Sequence, residues 1–247
     1  MKNLIKISLV IMLGICTSFY PKNTQNQLKI HFKHLVGNQA LVLNDTYYTN
    51  IHGEKFNVTK FNYYISNIRL KKANGQWWKQ PNSYYLVQSN QPASQVLTIP
   101  NIPKGEYKEI SFLIGVDEKR NTSGVQEGAL DPANGMFWSW NTGYVFLKLE
   151  GQTLVPNQGK TTAKKFRFHS GGFNFKYNNI KKKRLNLRTR PLNIGRNKAA
   201  ELKVKVDLQK FFGGVKPVKI QQNYSLMSPA RVAKVADNYI QTFTRLK

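Results

Sequence analysis

Apolar and polar side chains alternate with a period of two along most of this chain, a pattern that builds half-buried strands and rules out a helical bundle. Leu28, Ile30, Phe32 and His34 fall on one side of an extended segment, and Lys29, His31 and Lys33 on the other. Phe61 to Leu70 reads as a second strand, closed by the turn signal Asn74-Gly75. Trp77 and Trp78 then open a return strand running towards Tyr84, Tyr85, Leu86 and Val87. Further strands are expected over 107–116, 144–149, 165–169, 184–190 and 201–208, with Gly, Pro and Asn between them. Short strands at this spacing predict an all-β fold, an antiparallel β-sandwich. One short helix is expected at the C-terminus, capped by Ser228 and started by Pro229, with Val232, Val235, Ala236, Tyr239 and Phe243 as its apolar stripe.

The first residues read differently. Lys2 and Lys6 precede an apolar run from Ile7 to Ile15 that is too short for a bilayer, which needs about 20 apolar residues. With Cys16, Thr17 and Ser18 following, residues 1–18 have the form of a secretory signal peptide, so the chain is expected to be exported to the periplasm or outer cell surface. Leu13-Gly14-Ile15-Cys16 has the order of a lipobox, with bulky Ile15 where a small residue is usual, which makes Cys16 a candidate for lipid attachment and membrane anchoring. Cys16 is the single cysteine, so no internal disulfide is available and a packed core must supply the stability. Residues 26–247 are expected to form one β-sandwich domain.

Net charge is +26, from 38 basic and 12 acidic residues. Such a field attracts nucleic acid, anionic head groups or acidic polysaccharide. No nucleic-acid fold signature accompanies it, so no nucleic-acid partner is expected. The densest run is Lys181-Lys182-Lys183-Arg184, leading into Leu185 and Leu187, which alternate with polar residues as in a half-buried edge strand. A solvated basic face and a specific anionic partner both remain open on this pattern.

Enzyme signatures are missing: there is no phosphate-binding glycine loop, no Gly-x-Ser-x-Gly, no His-Glu-x-x-His and no Cys-x-x-Cys. No enzymatic activity is therefore expected. Asp117, Glu127 and Asp131 could bind calcium, but their spacing is not that of an EF-hand, and carboxylates in such loops more often hold turns. In Gly135-Met136-Phe137-Trp138-Ser139-Trp140-Asn141-Thr142-Gly143-Tyr144, an extended chain puts Met136, Trp138 and Trp140 on one face. Core packing explains such a cluster without any ligand, and unmodified indole offers a metal no lone pair.

The segments His31 to Gly37, Phe61 to Ile68, Pro81 to Val87 and Phe112 to Asp117 carry a resemblance, as do Gly128 to Pro132, Met136 to Tyr144, Phe168 to Phe173 and Ala236 to Tyr239. Together they resemble the MbnP-like family of exported copper-binding proteins, related to the partner protein of methanobactin, and the Trp-x-Trp-x-x-Gly-Tyr block is the most specific piece. The resemblance implies a β-sandwich that binds copper, and a di-haem oxidase of the cytochrome c peroxidase type as partner. That oxidase converts a tryptophan to kynurenine, whose aryl amine and ketone are donors that indole lacks. Imidazole suits copper well. On strand parity His34 points inward, and His169 ends a strand before Ser170-Gly171-Gly172, where a ring can reach a site. The expected metal residues are therefore His34 and His169 with Trp138 or Trp140. His31 and His52 are expected on the outside and in a turn. One departure from the family pattern is that Ser139 and Asn141, not histidines, flank Trp140. The second reading is a basic cell-envelope module, without metal, that holds acidic polysaccharide or a protein partner.

Overall fold

The structure is a computed structural model that describes residues 26–139, 142–174, 176–195, 199–233 and 235–246. The expected signal peptide, Cys16 and Trp140 lie outside the described residues. Its principal strands in chain order are β1 (Leu28–Val36), β2 (Lys55–Lys72), β3 (Trp77–Lys79), β4 (Tyr84–Gln88), β5 (Val96–Ile99), β6 (Gly105–Ile114) and β7 (Phe137–Ser139). They continue with β8 (Gly143–Asn157), β9 (Lys160–Gly171), β10 (Lys181–Asn186), β11 (Leu192–Ile194), β12 (Ala200–Asp207), β13 (Ser225–Leu226) and β14 (Phe243–Arg245).

These strands form two main sheets. The smaller has the order β14-β12-β1, with β5 on the free edge of β1. The larger has the order β10-β6-β2-β8-β9-β13, and β3 and β4 line the opposite edge of β2. The all-β sandwich expected from the alternation is what the chain adopts, although β1 pairs with β12, and β9 with β13, in parallel.

The core lies where the sheets face each other, and it is built from the alternate residues of each strand. Leu28, Ile30, Phe32 and Val36 of β1 are buried, and they face Phe61, Tyr63 and Ile65 of β2 and Ile110, Phe112 and Ile114 of β6. Phe32 meets Tyr63, Phe112 and Phe243 edge to face at 5.9, 6.4 and 6.3 Å. Aromatic pairs of this geometry add about 0.5–1.5 kcal/mol beyond the area they bury. At β10, the expected edge strand, Leu185 turns inward while Lys182 and Arg184 stay exposed.

Two local expectations change. The return strand from Trp77 is interrupted at residues 80–83, because Gln80 and Ser83 turn inward and bond to each other while the Ser83 hydroxyl accepts the backbone N–H of Ile68. The C-terminal apolar stripe is buried as expected, but it runs over two short helices, α1 (Pro229–Ala233) and α2 (Ala236–Thr242), and ends in β14. Between the helices the Val235 N–H bonds Val232 and the Asn238 N–H bonds Val235, tight three-residue closures that break the α-helical ladder. Within the second helix the buried Asn238 amide donates to the carbonyls of Phe211 and Lys216 and ties that helix to the preceding segment.

A second, smaller core sits on the outer face of the larger sheet. Tyr64, Val116, Leu130, Met136, Tyr144, Val145 and Phe146 form it, roofed by the segment from Val116 to Ser139. This roof carries Trp138.

Candidate metal centre

Two carboxylates and one asparagine hold the roof. Asp117 caps a short helical turn at Glu118–Asn121 and accepts hydrogen bonds from the Tyr84 hydroxyl and the Asn67 amide at 2.5 and 2.7 Å. These hydrogen bonds outweigh burial and keep its carboxyl below the usual range. Asp131 caps the turn at Pro132–Asn134. The Asn121 side chain is buried: its amide donates to the carbonyls of Val116 and Asp117, and its carbonyl accepts the Tyr144 N–H at 2.9 Å. The acidic loop is thus a set of turn locks rather than a calcium cage. Among the described residues no group of three or more His, Cys, Asp or Glu side chains is placed to hold a metal ion.

The roof then descends onto the sheet through β7, which pairs with the start of β8. Met136 is fully buried, and its carbonyl accepts the Val145 N–H at 2.9 Å. Trp138 is half-buried and packs on the second core. Its indole lies directly against Gly171 of β9: a Cβ at that glycine would stand 2.6 Å from the ring and 2.7 Å from the Tyr144 carbonyl oxygen. Only a residue without a side chain lets the indole approach the strand there.

His169 is two residues before Gly171 on the same strand, so the two share a face and are about 7 Å apart along it. The inward positions of β9 are Phe166 and Phe168, in the main core, so His169 belongs to the outer face with Trp138. Register across the sheet aligns Asn62, Lys148 and His169 in one row and Lys60, Glu150 and Arg167 in the next. Within this patch His169 Nε2 is 2.6 Å from Glu150 Oε1. Burial lowers the His169 pKa most and Lys148 adds to the fall, against the opposing hydrogen bond that the ring donates to Glu150. Lys148, itself pushed down by burial, donates its ammonium to the Gly135 carbonyl.

A neutral imidazole with Nε2–H held by a carboxylate presents Nδ1 as a lone pair. Carboxylate–histidine pairs of this kind orient metal-binding imidazoles.

His34 has a different setting. It points inward, as parity predicts, and is 8% exposed. Its ring packs edge to face on Phe61 and Tyr63 at 5.2 and 5.7 Å, and its Nε2 lies 3.0 Å from the Tyr63 hydroxyl. Burial drops its pKa from 6.5 to about 4, so it is neutral at physiological pH. His34, on β1 of the smaller sheet, thus packs against the inner side of the larger sheet while His169 lies on its outer face, and the structure does not bring them together. Of the expected set it brings together His169 and Trp138. His31 lies 3.9 Å from Glu201 outside the core, and His52 Nε2 is 3.2 Å from the Phe212 carbonyl in its turn. Glu150 went unnoticed in the sequence because only the β8–β9 register places it beside His169.

Residues 25–228 match the MbnP family. Among solved structures, MbnP from Methylosinus trichosporium superimposes with a TM-score of 0.50 at 16% identity, over 76% of this chain and 77% of that one. At that identity the likeness concerns the fold alone. Among curated proteins nothing matches.

Proposed function

Because the chain belongs to the MbnP family, we propose that it is an extracytoplasmic copper-binding protein whose metal site is the His169–Trp138 patch. The observation that carries this reading is the seat of the Trp138 indole on Gly171, on the face and strand of a histidine already oriented by a carboxylate. The encoded donors alone are too few for copper, since indole has no lone pair to give. Oxidation of Trp138 to kynurenine by a di-haem oxidase supplies an aryl amine and a ketone beside His169. Glu150 then serves as the orienting group and His169 Nδ1 as the imidazole ligand, a nitrogen donor that suits copper. The residue's half-exposed position leaves it within reach of a second protein. His34, sealed between two aromatic rings, is left out of the site.

Peptide mass spectrometry of the chain purified from its own cell tests the reading. Residue 138 gains about 4 Da, the mass change of kynurenine formation, and that covalent change is invisible in the encoded sequence. The chain made in a cell without the oxidase keeps the unmodified mass and binds copper weakly. An unmodified Trp138 in copper-replete native protein removes the kynurenine from the proposal.

A further inference from the structure

Towards the other end of β2, the outer face of the larger sheet carries a different arrangement. Lys79, Arg69, Ser111 and Arg184 stand in register across β3, β2, β6 and β10. At a spacing of ~4.8 Å between strands, the row spans about 14 Å. In the adjacent row stand Trp77, Lys71, Glu109 and Asn186. Arg69 and Lys71 lie 5.5 and 5.6 Å from the centre of the Trp77 ring, which is still 37% exposed. Glu109 is the one carboxylate in the two rows, with Arg184 at 3.8 Å. Beneath the guanidinium groups the Ser111 hydroxyl is buried and has no hydrogen-bond partner among the described residues.

We propose that this face binds an anionic polysaccharide, with acidic groups of successive sugars on Lys79, Arg69 and Arg184 and one sugar ring stacked on Trp77. Cations on three of four neighbouring strands, interrupted only by Ser111, suit an extended polymer that carries several negative charges. Arg69 and Lys71 lie over the Trp77 ring, so cation–π contacts hold the half-exposed indole among the cations of the two rows. A single indole is a poor match for single-stranded nucleic acid, which needs a platform for each successive base. An anionic membrane is a poor match too, since Trp77 is the only large exposed hydrophobic side chain in the two rows.

Titration calorimetry of the full chain with alginate, a polyuronate, tests this independently of copper, with dextran as the uncharged comparison. Alginate binds, dextran does not, and rising salt weakens the complex. The triple variant Arg69→Gln, Lys79→Gln, Arg184→Gln weakens alginate binding by about tenfold, and Trp77→Ala by roughly several-fold. A second triple variant, Lys160→Gln, Lys164→Gln, Lys165→Gln, removes the same charge from the exposed end of the β8–β9 hairpin and stays within about twofold of the parent. All these side chains are exposed, and each variant is measured well below its own melting midpoint. Equal losses in the two triple variants would assign the attraction to net charge and overturn the proposal. No binding to alginate, or tighter binding to single-stranded DNA or phosphatidylglycerol vesicles, would overturn it as well.

Discussion

His34 and His169 are almost equally buried, at 8% and 6% exposure, yet the inner and outer sides of the larger sheet give them opposite chemistry. On the inner face His34 meets aromatic rings and one tyrosine hydroxyl, and burial alone sets its pKa. On the outer face His169 meets a carboxylate, with a lysine and an indole nearby. The difference teaches that depth does not make a ligand. What matters is whether one ring nitrogen is anchored and the other remains free, and only the outer face provides a carboxylate anchor.

The comparison can be broken most sharply at His34. Replacing it by Ala removes a packed ring and leaves the Tyr63 hydroxyl unpaired, at a cost of about 2–4 kcal/mol in urea unfolding, while copper affinity is retained. The same residue controls acid stability. Its folded pKa of about 4 lies below the ordinary 6.5, so the unfolded chain binds the extra proton between those values. Its contribution is complete above pH 6.5, falls as pH drops towards 4, and reaches at most about 3 kcal/mol. Urea midpoints measured across that window decline for the parent and less for His34→Leu.

On the outer face, Gly171→Ala forces the indole of Trp138 and the Tyr144 carbonyl apart, costing about 1–3 kcal/mol of stability and weakening copper binding. Glu150→Gln keeps the shape of the patch but removes the anchor's charge. It lowers copper affinity by about 10- to 100-fold, read by competition with a chelator, with little change in melting temperature. The smallest effect belongs to His31, whose loose contact with Glu201 predicts a change within about 0.5 kcal/mol and none in copper binding for His31→Ala.

Parity made much of this legible. The burial of β1 alternates residue by residue as its apolar pattern dictates, and the same rule sends His34 inward. Applied to Lys165-Phe166-Arg167-Phe168-His169, it also places His169 outward with Arg167, so the separation of the two histidines was present in the sequence. What could not be read there depends on pairing between distant segments. The parallel contact of β1 with β12, and the partnership of Glu150 with His169, arise from strand register. The break between α1 and α2, closed by the three-residue bonds of Val235 and Asn238, likewise leaves no mark on the apolar stripe. Gly171 was visible only as part of a glycine pair, and its role as the seat of an indole needed the roof folded over the sheet.

Copper titration of the single variants His169→Ala and His34→Ala, purified from the cell that makes the protein, tests the central claim most directly. The account predicts that His169→Ala loses tight copper binding while His34→Ala, though less stable, binds as the parent does. Copper binding unchanged in His169→Ala and abolished in a folded His34→Ala would contradict it.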